Sequence, residues 1–374
     1  DIISNQTVLT AAAKSGLFQW YIPGSTTVGS FDIVQNDPRK LGIDPKVAAV
    51  LNQLPAPNNT AIGDSLNTSG YQFNNPNDSN ADQGTVRADH QLAENQRLFL
   101  RFSWARSSAI DSLNGAQAPY PGLPAGKDNE QHGGGAFGSE WSISPRMVNE
   151  ARVGYQRAKI SLDRPARIGG PMLVFNSWTN VQDSSFPQTH NSPVLEVTDN
   201  LSFIRGKHVF KAGALFRYTS LRSENAAGIY PNVTFGLGSG NAPPSSIGPS
   251  GNNVISSTDR QIFAYLYNDL LGRMEQVDQT FYSNLNAYLP SGTALKRGLS
   301  FYDYGIFLQD DWKFRPNLTL NLGIRYEING VPSETSGIFG ALDKADGVTP
   351  TANIANFTLK PGARWYNTDL KAFA

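Results

Sequence analysis

The chain has 374 residues, enough for two or three ordinary domains or for one large barrel. Its 31 basic and 31 acidic residues balance, so nothing in the overall charge points to nucleic acid as a partner. The absence of cysteine excludes disulfides and thiolate metal sites, and no apolar run is long enough for a transmembrane helix. Abundant glycine, 11% aromatic and only 17% charged residues are typical of a chain rich in strands and turns.

Residues 1–82 have the least regular pattern, and we predict an irregular segment of loops with one short helix. The helix should span about 45–54, because Asp44 offers a capping side chain and Pro45 fits the first helical position. Residues 58–82 are rich in asparagine, aspartate, glycine and proline, a composition that favours a loop.

The end of this segment contains a spacing that imitates a calcium-binding loop. Asp78, Asn80 and Asp82 occupy its first, third and fifth places, and Asp89 occupies the twelfth. Gln83 stands where such a loop needs glycine, and an aspartate replaces the bidentate glutamate. A solvated turn leading into a strand is the preferred interpretation, with calcium binding there as the open alternative.

Between residues 83 and 330, polar and apolar residues alternate in segments of about ten residues, the pattern of strands with one apolar face. We predict about ten strands paired as five antiparallel hairpins, including a strand over 277–289. Residues 258–271 are compatible with either a strand or a short helix. Residues 331–374 are expected to form an extracellular loop and the start of a further strand.

The connections between these strands alternate between short and long. Four tight turns are predicted at 93–96, 144–147, 205–208 and 314–317. Three long connections are predicted at 105–134, 158–193 and 219–257. Because each strand reverses direction, the short turns must lie at one end of the sheet and the long connections at the other. A soluble sandwich has no reason to segregate its loops in this way, whereas an outer-membrane barrel does.

The clearest hairpin is "GIFLQDDWKFRPNLTLNLGIRYE", Gly305 to Glu327. From Leu318 onward, leucine, isoleucine or tyrosine occupies every even position, and the intervening residues are polar, charged or glycine. In lipid every backbone group must be paired, so only helices or closed barrels can span the membrane. The sequence therefore predicts a transmembrane β-barrel with its apolar side against lipid.

Eight residues are expected to face lipid: Leu100, Phe102, Phe210, Phe216, Leu318, Leu320, Leu322 and Ile324. Four aromatic residues lie near predicted strand ends and are expected to form the girdle at the membrane surface: Trp104, Tyr155, Trp312 and Tyr326. Ordinary core packing is the alternative for these aromatic residues. The intervening Thr319, Asn321, Arg325 and Glu327 are expected to face the lumen.

The same hairpin resembles the one that recurs in TonB-dependent receptors of bacterial outer membranes. "DQGTVRADHQLAENQRLFLRFSW", "SISPRMVNEARVGYQ" and "LSFIRGKHVFKAGALFRY" are similar to the Oar-like subgroup, and "GIDPKVAAVLNQLPAPNN" to a segment that precedes its barrel repeats. The resemblance implies a barrel of about 22 strands, occluded by a plug and energised by the TonB complex. This chain shows about half of those strands and neither plug nor TonB box, so we expect a barrel fragment.

No catalytic, cofactor-binding or metal-binding residues are expected. Gly133 to Gly138 matches a dinucleotide-loop spacing but neither follows a strand nor opens a helix, which favours entry into a strand. Asp310 and Asp311 are adjacent on a strand and should point to opposite faces, so they cannot act as a catalytic pair. The four histidines are scattered without metal-ligand spacing.

The resemblance and the strand pattern together predict a non-enzymatic receptor and transporter barrel in the outer membrane. Its expected partners are membrane lipids, the TonB complex through parts not present here, and a large ligand at the extracellular loops. A passive porin or structural surface barrel is the first alternative. A soluble β-rich carbohydrate-binding module or enzyme is the second.

Overall fold

The computed structural model describes residues 2–165, 170–182, 186–245, 247, 255–338, 340–342, 359–362 and 364–373. Strands in these residues are β1 (Ile2–Leu9), β2 (Leu17–Tyr21), β3 (Val28–Asp32), β4 (Thr68–Asn75), β5 (Ser79–Ala93), β6 (Gln96–Ile110), β7 (Lys127–Ser144), β8 (Met147–Asp163), β9 (Met172–Val174), β10 (Gln188–Arg205), β11 (His208–Asn225), β12 (Asn232–Phe235), β13 (Met274–Asp278), β14 (Leu295–Arg315), β15 (Leu318–Asn329), β16 (Ser333–Glu334), β17 (Gly340–Leu342) and β18 (Leu359–Pro361). The helices are α1 (Ala11–Lys14), α2 (Ile33–Asn36), α3 (Pro45–Leu51) and α4 (Ser257–Leu270).

One antiparallel sheet dominates the structure and confirms the predicted all-β fold class. Its long strands follow the order β5, β6, β7, β8, β10, β11, β14 and β15, and the short β16 pairs with one end of β14. We refer to these eight long strands as the long sheet. β5 and β15 lie at its two edges and do not pair with each other, so the described strands form an open arc.

The long sheet is a meander of four hairpins, with the short turns at one end and the long connections at the other. Two-residue turns join the strands of each hairpin, and Gly206 supplies the left-handed backbone (φ 64°) that one of them requires. The predicted segregation of short and long connections is therefore confirmed. None of the described helices combines the length and hydropathy needed to cross a bilayer.

The predicted fifth hairpin, with a strand over 277–289, is wrong. The strand β13 in that region ends at Asp278 and pairs with β12 in a small separate sheet that also contains β9. β14 is longer than predicted. It pairs with the whole of β11, from Leu295 opposite Asn225 to Trp312 opposite His208. No position is therefore left between β11 and β14 for another long strand.

The segment that was ambiguous over 258–271 is helix α4. Ser256 caps it, because its hydroxyl accepts a hydrogen bond from the backbone N–H of Asp259. Apolar side chains at helical spacing, including Phe263, Leu266 and Leu270, are buried along one side of the helix.

The prediction that residues 1–82 are an irregular segment is also wrong, although its short helix is confirmed. Four strands and three helices occupy this part, and β1 pairs with β4 along its whole length. Helix α3 begins at Pro45 with Asp44 as its cap, as expected, and ends at Leu51. This segment forms regular elements because its apolar side chains pack against side chains of the connections between the long strands, which are distant in sequence.

Residues 2–75 and the described parts of connections 111–126, 164–187 and 226–294 form a compact body that we call the cap. All large buried hydrophobic side chains of the described residues lie in it: Val8, Leu9, Phe18, Trp20, Ile33, Val47, Val50, Leu51, Leu54, Tyr120, Met172, Phe175, Trp178, Ile229, Phe235, Ile247, Phe263, Leu266, Tyr267, Leu270 and Leu271. The cap lies at the long-connection end, because β5 starts at that end directly after β4.

Residues 331–374 are described only in part. Two short strands, β17 and β18, pair with each other, and Phe373 forms an antiparallel bridge with Tyr326 of β15. The backbone N–H of Glu327 also donates to the carbonyl of Ala372. The last described residues therefore lie along the edge of β15, while the further strand expected there remains a prediction.

Candidate membrane surface, lumenal face and cap

The register of the long sheet brings the predicted lipid-facing residues together on one face. Residues opposite each other on paired strands point to the same side. Leu100 of β6 lies in one row with Phe137, Val153, Val197, Phe216 and Tyr304. The next row on this face towards the long connections contains Phe102 and Tyr155, and the second row towards the turns contains Ile324 with Leu308. All eight predicted lipid-facing residues and all four girdle residues share this face, which we call the apolar face.

Large hydrophobic side chains are exposed along the apolar face. Leu322 is 58% exposed and Ile324 54%, although both lie in the interior of a strand. Other exposed side chains on this face are Val86, Leu100, Phe102, Trp104, Phe137, Trp141, Val153, Tyr155, Val197, Leu201, Tyr302, Tyr304, Ile306, Leu308 and Leu318. A continuous apolar surface of this extent marks an interaction with protein or membrane.

The opposite face of the long sheet is polar. Asp311 accepts a hydrogen bond from the Lys211 ammonium at 2.7 Å, and Glu196 accepts one from the Arg217 guanidinium at 2.6 Å. Further ion pairs on this face join Arg87 and Arg97 to Asp89, Arg152 to Glu150, and Arg325 to Glu327. This face lines a groove of about 1100 Å³. The sheet is thus curved with its polar side inward, the arrangement of a polar lumen.

Glycines on the polar face lie beneath aromatic rings of the neighbouring strand. A Cβ at Gly138 would lie 2.1 Å from the Phe99 ring, and a Cβ at Gly213 would lie 2.3 Å from the Phe307 ring. The glycine-rich run from Gly133 to Gly138 lies inside strand β7, which already begins at Lys127, and not at the entry to a strand as predicted. The ring contact accounts for its last glycine. The rings cover backbone that would otherwise be bare on the polar face.

Relative to the rows of paired residues, the turn of each successive hairpin lies further towards the short-turn end. Gln96, at the first turn, shares a row with Ile324, which lies six residues beyond the last turn at Leu318. Six residues span about 20 Å along a strand, and six strand spacings span about 29 Å across the sheet. With all turns level at one membrane surface, the strands are tilted by about 35°, as in transmembrane barrels.

Three of the predicted girdle residues lie at one height above the turns. Trp104, Tyr155 and Tyr326 each lie eight residues from the turn end of their strand, and Phe216 does as well. At a tilt of about 35° this corresponds to about 22 Å, close to the ~25 Å height of the apolar band of such barrels. The fourth girdle residue, Trp312, lies near the turn end. The aromatic residues thus occupy both margins of the apolar face.

The cap is joined by hydrogen bonds between segments that are far apart in sequence. The Tyr120 hydroxyl lies 2.8 Å from the carbonyl oxygen of Thr179 and 3.2 Å from that of Thr7. The Asn75 side-chain amide donates to the Ala118 carbonyl at 2.8 Å. Residues 2–75 and the connections after β6 and β8 are therefore fixed to one another.

A buried carboxylate joins helix α4 to the connection after β8. Asp269 accepts hydrogen bonds from the backbone N–H groups of Asn176 at 3.1 Å and Ser177 at 2.9 Å. Burial raises the pKa of the Asp269 carboxyl to about 6, although these hydrogen bonds oppose the shift. The sequence did not predict a buried role for Asp269, because residues 258–271 were compatible with either a strand or a helix. It did not predict the core of the cap either.

Comparison with known proteins identifies the kind of membrane protein to which this sheet belongs. The sequence matches the family described as "Outer membrane beta barrel domain" over residues 2–374. The chain belongs to this family. It is therefore an outer-membrane β-barrel domain, and the soluble alternative is excluded. No curated protein matches the chain.

Several solved outer-membrane transporters are similar to this outer-membrane barrel domain at low sequence identity. The transporter YddB from Escherichia coli is 10% identical with a TM-score of 0.40, over 71% of this chain and 29% of its own. The copper transporter OprC is 12% identical with a TM-score of 0.40, over 79% and 33%. The open form of the ferric-catecholate import receptor Fiu from E. coli K12 is 12% identical with a TM-score of 0.37, over 80% and 43%. The chain spans less than half the length of these transporters.

The motifs that could have suggested a metal site or an enzyme have structural roles. Asp78 immediately precedes β5, while Asn80 and Asp82 lie within this extended strand; Asp89 points to the opposite face and pairs with two arginines. Among the described residues, no group of three potential ligands could hold a metal ion. Asp310 and Asp311 point to opposite faces, as predicted, and pair with His208 and Lys211 respectively.

Proposed function

We propose that this outer-membrane domain is the barrel region of a TonB-dependent receptor of the Oar-like subgroup, which takes up a large ligand. The apolar face would contact lipid, the polar face would line the path, and the cap would form the extracellular recognition surface. Transport energy would come from the TonB complex, through parts of the protein outside this chain. In this proposal the barrel region itself catalyses no reaction.

The observation that carries the proposal is that the eight long strands form an open arc. A closed barrel of eight strands would pair β5 with β15, and these strands do not pair. Closure of such an arc needs more strands, and the largest barrels of this kind are plugged transporters. The resemblance of four separate segments to the Oar-like subgroup supports the same assignment.

The composition of the cap supports a recognition role at its end of the barrel. Large side chains protrude from it into solvent, including Leu113 at 98% exposed and Tyr288 at 79%. They lie on connections that are anchored by the buried core and by the long sheet. Binding residues are often carried by connections on a rigid scaffold of this kind.

An experiment must distinguish this receptor from a passive porin, which is the alternative function. The complete protein, purified in detergent, would be tested for binding to the periplasmic domain of TonB and for conductance in planar bilayers. The receptor proposal predicts TonB binding and no steady conductance, because a plug occludes the barrel. Steady open-channel conductance without TonB binding would favour a passive porin.

A further inference from the structure

The short turns that follow β7, β10 and β14 carry only positive charge. Residues 142–149, 203–210 and 313–320, which contain these turns, include no acidic residue. Their five exposed cations are Arg146, Arg205, Lys207, Lys313 and Arg315. None of the five has an ion-pair partner among the residues that the structure describes. We call these five residues the basic rim.

Backbone hydrogen bonds between neighbouring turns bring the cations of the basic rim together. The N–H of Ile204 donates to the carbonyl of Arg146 at 2.8 Å, which places Arg146 beside Arg205, the residue after Ile204. The N–H of Lys313 donates to the carbonyl of Lys207 at 2.8 Å, so these two lysines are also neighbours. Like charges side by side repel each other, and an anion bound between them would relieve the repulsion.

The nearest acidic side chains neutralise little of this charge. Three of them lie on the polar face beside other cations: Asp311 pairs with Lys211, Glu150 pairs with Arg152, and Glu140 lies opposite Arg97. The fourth, Asp310, lies 2.7 Å from the Nδ1 atom of His208, and an uncharged histidine leaves the carboxylate its charge. One carboxylate therefore faces five cations, and the rim keeps an excess of positive charge.

Part of the basic rim lies on the apolar face, next to the aromatic residues at its turn end. Arg205, His208 and Trp312 share one row on this face. The rings of His208 and Trp312 stack at 5.3 Å between centroids, and Trp312 contacts Phe314 at 5.0 Å. The Arg315 guanidinium lies over the Phe314 ring, 5.7 Å from its centroid. Cations thus adjoin the aromatic residues where the apolar surface ends.

We propose that the basic rim binds the headgroups of anionic glycerophospholipids in the periplasmic leaflet of the outer membrane. Basic residues beside a membrane surface attract anionic headgroups, and their apolar stems can remain on the apolar surface. The acyl chains of the same lipid would lie on Phe210, Trp312 and Leu320, which belong to the apolar face. The proposal rests on the orientation given above, with the cap outside the cell and the short turns on the periplasmic side.

The test uses the complete protein in detergent and native mass spectrometry with phosphatidylglycerol as the probe. The triple variant R205Q/K207Q/R315Q removes three cations of the basic rim. The matched control R106Q/R157Q/K159Q removes the same charge at the long-connection end of the apolar face, where acidic side chains lie among the cations. We expect the wild type and the control to bind the probe equally and the rim variant to bind at least about tenfold more weakly.

Two further probes identify the recognised group. Phosphatidylethanolamine with the same acyl chains has no net charge and should bind all three proteins equally, which also shows that the rim variant is folded. Inorganic phosphate at the concentration of the probe should not displace phosphatidylglycerol, because it lacks the acyl chains. Equal binding of phosphatidylglycerol by the two triple variants would overturn the proposal. Displacement by inorganic phosphate would overturn it as well, and so would an equal loss of phosphatidylethanolamine binding in the rim variant.

A separate measurement distinguishes a wrong orientation from a wrong ligand. A cysteine at Leu113, in the cap, should react on intact cells with a maleimide that cannot cross the membrane. If it reacts and the two triple variants bind phosphatidylglycerol equally, only the lipid proposal fails. If it does not react, the orientation itself is wrong, and both the periplasmic lipid site and the proposed receptor surface fail with it.

Discussion

The long sheet and the cap place their large apolar side chains in opposite environments. In the long sheet, large apolar side chains such as Leu322 and Ile306 point into the surroundings, and the polar face turns inward. In the cap, Phe18, Phe263 and Leu270 are almost completely buried in a common core. The cap therefore carries its own hydrophobic core, as a water-soluble domain does, whereas the sheet depends on its backbone ladder and on lipid.

The largest effect is expected from opening a cavity in the cap core. Phe263 contacts Phe18 at 5.1 Å and Phe31 at 5.4 Å between ring centroids. Phe263→Ala should destabilise the cap by about 3–5 kcal/mol, because the rings around it cannot fill the space. Hydrogen exchange should show lost protection in α4 and unchanged protection in β10 and β11.

The matched control for this prediction is Phe102→Ala on the apolar face. Lipid chains can fill the space left by Phe102, so the variant should leave α4 protected and lose much less stability. If Phe263→Ala lowered protection in the long sheet as much as in α4, the two regions would not be independent.

The apolar face is tested by placing a charge on each side of one strand. Leu322 and Asn321 are neighbours on β15 and point to opposite faces. Leu322→Arg should cost about 2–4 kcal/mol of unfolding free energy in bilayers, whereas Asn321→Arg should cost about 0–1 kcal/mol. Reversible unfolding of the complete barrel in lipid vesicles measures both, and equal costs would remove the distinction between the two faces.

A pH dependence should be confined to the cap. The raised pKa of Asp269, about 6, means that the folded cap binds a proton more tightly than the unfolded chain does. The free energy of unfolding of the cap should therefore fall by up to about 3 kcal/mol as pH rises from about 4 to above 6, and then stay constant.

The control for this prediction is Asp269→Asn, which carries no charge at any pH. Protection of α4 in wild type, corrected for intrinsic exchange, should be lower at pH 7.5 than at pH 5, and the variant should show a smaller difference. An unchanged pH dependence in the variant would show that another group is responsible.

The smallest effect concerns the hydrogen bonds that join the cap segments. Tyr120→Phe removes a hydroxyl that bridges two backbone carbonyls while keeping the buried ring. We expect a loss of about 1 kcal/mol in the cap, measured by protection of β1. A loss as large as that of Phe263→Ala would mean that these hydrogen bonds, rather than the core, hold the cap together.

The contrast between the two regions also explains what could be predicted from the sequence. The alternation from Leu318 to Ile324 is local and has one period, so the strand, its apolar side and its tight turn follow directly from the residues. The cap core joins Val8, Phe18 and Phe263, which are far apart in sequence, so no local pattern reveals it. The run around Phe263 is almost continuously apolar, and such runs suit either a strand or a helix.

The orientation of the barrel can be tested most directly: the cap should lie outside the cell and the short turns on the periplasmic side. The chain contains no cysteine, so single cysteines at Leu113 in the cap and Lys207 in a short turn provide matched probes. On intact cells producing the complete barrel, a membrane-impermeant maleimide should label Leu113→Cys and spare Lys207→Cys until the outer membrane is opened. Labelling of Lys207→Cys on intact cells, with Leu113→Cys protected, would contradict the account.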